Sequence, residues 1–403
     1  MMKIDAIIEG LSKFQTRFCF FVNKTSIHQD TTQKHNMTLR RVSGFQRYAL
    51  SIQYHGGSFL GFSYQGDQED KLNEDGADLR GYRSVEGRLM EALEDLVGPN
   101  HYKNIQVSSR TDRGVHALKN TFHVDILNEN TQNTSSNEMS RRIHRGLNYH
   151  LGRQTHSWHR EQQERGTKRG SRRRKKAPSN YTFLGDSYWS RYSANDELRI
   201  LNATQAPEYM ENPFSEQDPS QPPRVDWNAR FSATERTYIY RILCYSDQDE
   251  NFGIPFEWDR SWRIRCNNKP LINVEEMQQA ANFLQGTHDF TTFRGSRCQR
   301  SSPTVTMKSF TIQSQPYTGF LCMNGVHKDS AFPQLVTIQI VGQSFLYRQV
   351  RNMVGCLVDV GLGKLQPKDV HELLQIKDRR KAPQMAPAHG LFLADVQHGD
   401  FHF

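Results

Sequence analysis

The chain has 403 residues, 36% of them hydrophobic, and its 52 Lys and Arg against 43 Asp and Glu give a formal charge of +9. The length suits about two to three domains, the low apolar content leaves part of the chain outside any core, and the cationic excess suits a polyanionic partner. The six cysteines (Cys19, Cys244, Cys266, Cys298, Cys322 and Cys356) form no CxxC pair, which argues against a zinc-finger or dithiol motif and fits a reducing compartment, and no apolar run approaches the ~20 residues of a membrane span.

The first ~28 residues are amphipathic. Ile4, Ile7, Ile8, Leu11, Phe14 and Phe18 fall near one helical face, and Lys3, Lys13, Arg17 and Lys24 outnumber Asp5 and Glu9. Two readings fit, a mitochondrial presequence or an unordered tail. Met37 offers a second start. Localisation is expected to be mitochondrial, with nucleus or cytoplasm as the alternative.

Regular pattern begins at Gln46, where Tyr48, Leu50, Ile52 and Tyr54 alternate as in a half-buried strand. An acidic loop near 66–80 precedes a helix with Val85, Leu89, Leu93, Leu96 and Val97 on one face, Ser84 as N-cap and Gly98-Pro99 as stop. A charged turn, Ser109 to Ala117, leads into a strand with Phe122, Val124 and Ile126 on one side. Residues 152–196 carry the run Arg165 to Lys176 and read as an inserted, mobile loop, because a like-charge block does not fold by itself. That run suits phosphate gripping, a nuclear-import signal or a plain solvated loop. Residues 206–223 are polar and Pro-rich.

Order returns at Ala229. Tyr238, Tyr240 and Ile242 alternate in a strand, and a helix spans 274–285, with Asn273 as N-cap and Glu276 at the capping-box position. Strands near 306–313 and 335–341 precede a helix at 346–360 that buries Val350, Met353, Val354 and Leu357. A shorter helix starts at Pro367, and a last strand covers 391–397. The expected segments are an extension, 1–45, an N-terminal subdomain, 46–228, with the insert 152–196, and a C-terminal subdomain, 229–403. Strands and helices interleave in similar order in the two subdomains. That predicts an α+β protein of two related, mostly antiparallel sheet-and-helix units with a cleft between them.

The chain lacks GxGxxG, GxxxxGK[ST] and HExxH, and Gly56-Gly57-Ser58-Phe59-Leu60 misses GxSxG at its last position. Dinucleotide redox chemistry, nucleotide hydrolysis and zinc hydrolysis are therefore disfavoured. Asp112 stands between Arg110 and Arg113. A carboxylate held ionised by such neighbours is a nucleophile or base, although Asp before Arg-Gly also suits an ordinary turn. A tyrosine such as Tyr238 at a cleft edge can stack on a base, with Arg236 near phosphate. Phe345 opens the helix on which Arg351 follows core Val350 toward the cleft margin.

Five ordered segments together resemble the TruA-type tRNA pseudouridine synthase family. They are Arg110-Thr111-Asp112-Arg113-Gly114-Val115-His116, the strand Ala229 to Tyr240, Gly286 to Phe293, Phe345 to Gly355, and Gly390-Leu391-Phe392-Leu393. The resemblance spans about 46–397 apart from the insert. Three departures stand out: Ser109 where bacterial members carry Gly, Phe62-Ser63 where they carry Trp-Gln, and Gln349 where Met precedes Val-Arg.

The resemblance implies the pseudouridine synthase fold, tRNA as partner, no cofactor and isomerisation of uridine to pseudouridine. It assigns Asp112 as the catalytic carboxylate, Arg351 as its partner and Tyr238 to stack on the flipped uracil. Leu391 packs on the uracil's other face and Arg110 takes part in base flipping, while Arg236 and Phe345 stand among the substrate contacts. A covalent adduct and a glycal intermediate both remain open. So do a homodimer, a catalytically silent RNA-binding protein on the same fold and a base-releasing glycosylase.

Overall fold

The computed structural model describes residues 41–63, 84–128, 136–169, 197–213, 215, 222–245, 257–266, 272–317 and 333–402. The amphipathic N-terminus, the acidic loop near 66–80 and residues 170–196 of the insert lie outside them. The N-terminal half supplies β1 (Phe45–Tyr54), α1 (Val85–Val97), β2 (Tyr102–Val107), β3 (His116–Leu127), α2 (Ser136–Arg169) and β4 (Leu198–Gln205). A short antiparallel pair follows, β5 (Tyr209–Glu211) with β6 (Arg224–Asp226). The C-terminal half supplies β7 (Glu235–Tyr245), β8 (Trp262–Arg265), α3 (Val274–Asn282), β9 (Gly286–Asp289), β10 (Thr304–Pro316), β11 (Gln334–Gly342), α4 (Gln349–Gly361), α5 (Pro367–Ile376) and β12 (Leu391–Gln397).

The α+β class is as expected, but the two halves share one sheet. Among the described residues its order is β4-β1-β3-β12-β7-β11-β10-β9, with β2 added to β3 and β8 to β7. The last strand makes the junction. β12 pairs antiparallel with β7 and, through Phe392 and Leu393, parallel with His116 and Ala117 of β3. The core is correspondingly continuous, joining Leu50, Leu89, Phe122 and Leu147 to Tyr240, Ile338, Met353 and Val354.

Local chemistry places most boundaries where turn and cap residues stand. The Ser84 hydroxyl accepts the Gly87 N–H at the start of α1. Asn273 accepts the Glu276 N–H at the start of α3, which stops at Asn282 because Phe283 already caps it. The helix expected from 346 begins at Gln349, because Arg348 adopts the left-handed conformation, with φ of 59°.

Two expectations are corrected. β1 is covered on both faces, not half-buried. Its second face, with Arg47 and Ala49, lies against Trp227. A charge is tolerated there because the fully buried Arg47 and Asp125 pair through bonds of 2.6 and 2.8 Å, with a third from Asn104 to Asp125 at 2.8 Å. The insert is also not a loop from 152, since α2 carries helix through Arg169. Residues 154–169 are rich in Gln, Glu and Arg, which are good helix formers. The core face of α2 is Ile143, Leu147 and Leu151, buried at a four-residue spacing, and this helix is not among the elements expected from the sequence.

Candidate active site

The segment between β2 and β3 is held from several sides. The Phe62 N–H donates to the Thr111 carbonyl at 3.2 Å, and the Val115 N–H closes a turn on the Asp112 carbonyl at 3.1 Å. Gly114 follows with φ of 78°, a region open to glycine. At Gly56 a Cβ would stand 2.1 Å from the Val115 carbonyl oxygen, so the approach of the two backbones requires glycine. The Tyr54 and Thr111 hydroxyls meet at 2.8 Å, and the Asn120 amide donates to the Ser109 carbonyl at 2.8 Å.

His116 is a brace in this arrangement. Its Nδ1 accepts the Gly56 N–H at 3.1 Å, which leaves the proton on Nε2, facing the His389 carbonyl at 3.1 Å. The ring stacks on Phe392 at 4.5 Å. Burial pushes its pKa down to about 4, so it is neutral at pH 7 and joins the Asp112 turn to β12.

Asp112 meets Arg351 across the two halves. Arg351 Nη1 lies 3.5 Å from Asp112 Oδ2, and Nε donates to the Ala386 carbonyl at 2.8 Å. The side chains are 20% and 11% exposed. Burial raises the Asp112 pKa above the ordinary value, against the opposing charges of Arg351 and Arg348. The same burial disfavours the Arg351 cation, which Asp112 opposes. At 3.5 Å the contact is long for a charge-assisted hydrogen bond.

Tyr238 and Leu391 stand on adjoining strands. The register sets Leu391 opposite Tyr240 and Leu393 opposite Tyr238, which puts all four on one face. The Tyr238 hydroxyl meets Ser109 Oγ at 2.8 Å, and its ring is edge-on to Phe345 at 4.9 Å. Burial raises the Tyr238 phenol pKa, so it is protonated at neutral pH. The Tyr240 hydroxyl donates to the Pro387 carbonyl at 2.8 Å, just before Leu391. Arg110 is exposed, near enough to Arg230 for their charges to repel.

Arg236 is not a free cation. Its buried guanidinium donates to four backbone carbonyls: Ser108 and Arg230 at 3.0 Å, Ala233 at 2.8 Å, and Gln343. It joins the Asp112 loop, the turn before β7 and the approach to α4. The correction is from substrate contact to brace, because the guanidinium is engaged by these carbonyls, two of them on the buried Ser108 and Ala233. Arg236→Ala is expected to lower unfolding stability by at least ~2 kcal/mol, from unsatisfied buried carbonyls. Chemical denaturation measures that loss.

The three departures from the bacterial pattern have local consequences. Ser109 supplies the hydroxyl that meets Tyr238, and Phe62 is buried against Tyr54 at 6.2 Å. Gln349 is fully buried, and its side-chain carbonyl accepts the Leu346 N–H at 2.8 Å. That bond secures the turn in which Arg348 is left-handed, a conformation that costs about 1–2 kcal/mol for a residue with a Cβ. Sequence reasoning missed Arg348, whose charge reaches Asp112. A φ of 59° at an arginine had no signal in the string.

Sequence comparison relates the chain to known enzymes. A family model described as tRNA pseudouridine synthase matches residues 280–398. The tRNA pseudouridine synthase A of Ruegeria sp. (strain TM1040) is 30% identical over 358 residues, covering 88% of this chain and 96% of the relative. The chain belongs to the tRNA pseudouridine synthase A family. Gluconobacter oxydans (strain 621H) has a relative of the same name, 30% identical, covering 90% of this chain and 93% of its own length. A third, from Caulobacter sp. (strain K31), is 29% identical, with 87% and 97% covered. The enzyme is accordingly an isomerase, and the loop that carries Asp112 lies within the length shared with these synthases.

Proposed function

We propose that this enzyme isomerises uridines in tRNA to pseudouridine, with Asp112 as the catalytic carboxylate. The observation that carries the reading is the Asp112–Arg351 pair beside Tyr238 and Leu391, contributed by two halves of the chain that meet at β12. In the reaction the C1′–N1 bond breaks, the uracil turns and C5 joins C1′. C5 loses a proton and N1 gains one, so the overall change balances without oxidant, reductant or cofactor.

Asp112 adds to the sugar or supports its cationic character as the base departs. Arg351 offsets the desolvation that closure imposes on the carboxylate. Tyr238 and Leu391 hold opposite faces of the rotating uracil, with Phe345 behind Tyr238. Arg110, free of the buried braces, fills the space the base leaves. The names of the relatives support tRNA as the substrate.

An unmodified tRNA transcript treated with the purified enzyme tests this reading. Expected is an unchanged RNA mass with a new carbodiimide-reactive pseudouridine. Mass loss to an abasic site would mark a glycosylase, and binding without either change a silent RNA-binding protein. We further propose a mitochondrial address in the N-terminal extension, which lies outside the described residues. A fluorescent fusion that keeps its location without residues 1–36 would refute that address.

A further inference from the structure

A group of guanidiniums surrounds the first turn of α4, and the isomerisation just proposed uses one of them. Arg351 turns to Asp112. Arg379 donates to the Asn352 side-chain carbonyl at 2.9 Å, which places it over the same turn. Arg348 begins that turn, and its carbonyl accepts the Asn352 N–H at 3.1 Å. Its guanidinium lies 4.8 Å from the centre of its neighbour Tyr347 and takes no hydrogen bond or ion pair among the described residues. Both Arg348 and Tyr347 are exposed.

These charges have too few acids. Arg348 repels both Arg351 and Arg379. Asp112 is already engaged by Arg351, and Asp378 by Arg380. Like charges that outnumber the acid beside them disfavour the empty arrangement, and an anion between them reduces that cost. The backbone at Arg348 adds a second observation. A left-handed non-glycine residue is strained, and such strain persists where the surroundings impose it for use. Here it turns the side chain out onto the Tyr347 ring, which presents a flat guanidinium, the geometry that fits phosphate oxygens in pairs.

We infer that Arg348 and Arg379 form a cradle for a backbone phosphate of the RNA at the uridine held over Asp112. The inference rests on the proposed function, because a uridine over Asp112 brings its own flanking phosphates to this turn. The charge of Arg348 then acts on the strand, while Arg351 acts on the carboxylate. Arg379 divides its guanidinium between Asn352 and the phosphate.

The test is direct binding of an unmodified tRNA transcript, followed by fluorescence anisotropy across a salt series, to wild type, Arg348→Gly and Arg348→Lys. Arg348→Gly is expected to weaken binding roughly tenfold and to reduce the slope of log affinity against log salt by about one. Arg348→Lys keeps the slope and recovers part of the affinity. The glycine variant is expected to melt at or above the wild-type temperature, because glycine adopts the left-handed backbone without strain. Unchanged affinity or an unchanged slope overturns the cradle. So does a lower melting temperature, which would make Arg348 a structural cap. No arm requires turnover, so failure of the Asp112 assignment and failure of the cradle are read separately.

Discussion

Asp112→Asn is expected to abolish pseudouridine formation, by at least about 10⁴-fold, as when a reacting side chain is removed. It is expected to bind tRNA nearly as tightly as wild type and to melt no earlier. The stability half of this result follows from proton linkage. Burial raises the folded-state pKa of Asp112 above its unfolded value. Its favourable contribution to stability is then present below the unfolded pKa and is lost as pH rises through the folded one. At neutral pH the ionised carboxylate is a net cost to the fold, which asparagine does not incur.

Activity has the opposite dependence. The working form is the carboxylate, so kcat/KM falls as pH drops through a pKa above the ~3.9 of an ordinary aspartate. The Asp112→Asn protein is assayed by pseudouridine mapping and by thermal melting. Turnover near wild type would remove Asp112 from the chemistry. Melting several degrees lower would make the ion pair a structural element.

Arg351→Lys is the second large effect. The wild-type guanidinium serves two acceptors at once, the Ala386 carbonyl at 2.8 Å and Asp112 at 3.5 Å. An ammonium is a point charge on a flexible stem and does not hold both in a fixed geometry. A loss of about 10²-fold in kcat is expected, the scale for removing one preorganised donor from a reacting charge. The acid limb of the pH profile is expected to move to higher pH. Arg351 opposes the upward shift of Asp112, so loosening it lets burial raise that pKa further. Single-turnover kinetics across pH would reveal both. A lower kcat with an unmoved acid limb would mean that Arg351 orients substrate and does not tune the carboxylate.

Both predictions concern residues that the string identified only in company. Asp112 before Arg-Gly is ordinary turn chemistry by itself. It became a candidate because the later strand, helix and C-terminal segments appear in the order of a known family. Helix ends at Ser84 and Asn273 were legible for a local reason, since the capping side chain is three residues from the N–H that it satisfies. β2, α2 and β4 went unread. β2 has half-buried faces with little alternation, and α2 is dominated by polar residues around a narrow apolar stripe.

The sequence by itself determined the α+β class and the family, and it named Asp112, Tyr238, Arg351 and Leu391 as candidates. These depend on residue type and spacing, which are local. It also offered Arg236 as a substrate contact, because an exposed and a buried arginine are identical in a string. Only the tertiary structure decided that Arg236 joins four backbone carbonyls, that His116 is a neutral brace and that Arg348 faces outward on a left-handed turn. The insertion of β12 between β3 and β7 was equally invisible, though it unites the halves. In each case the deciding quantity is desolvation or register across many residues of sequence, and neither is a property of the residue alone.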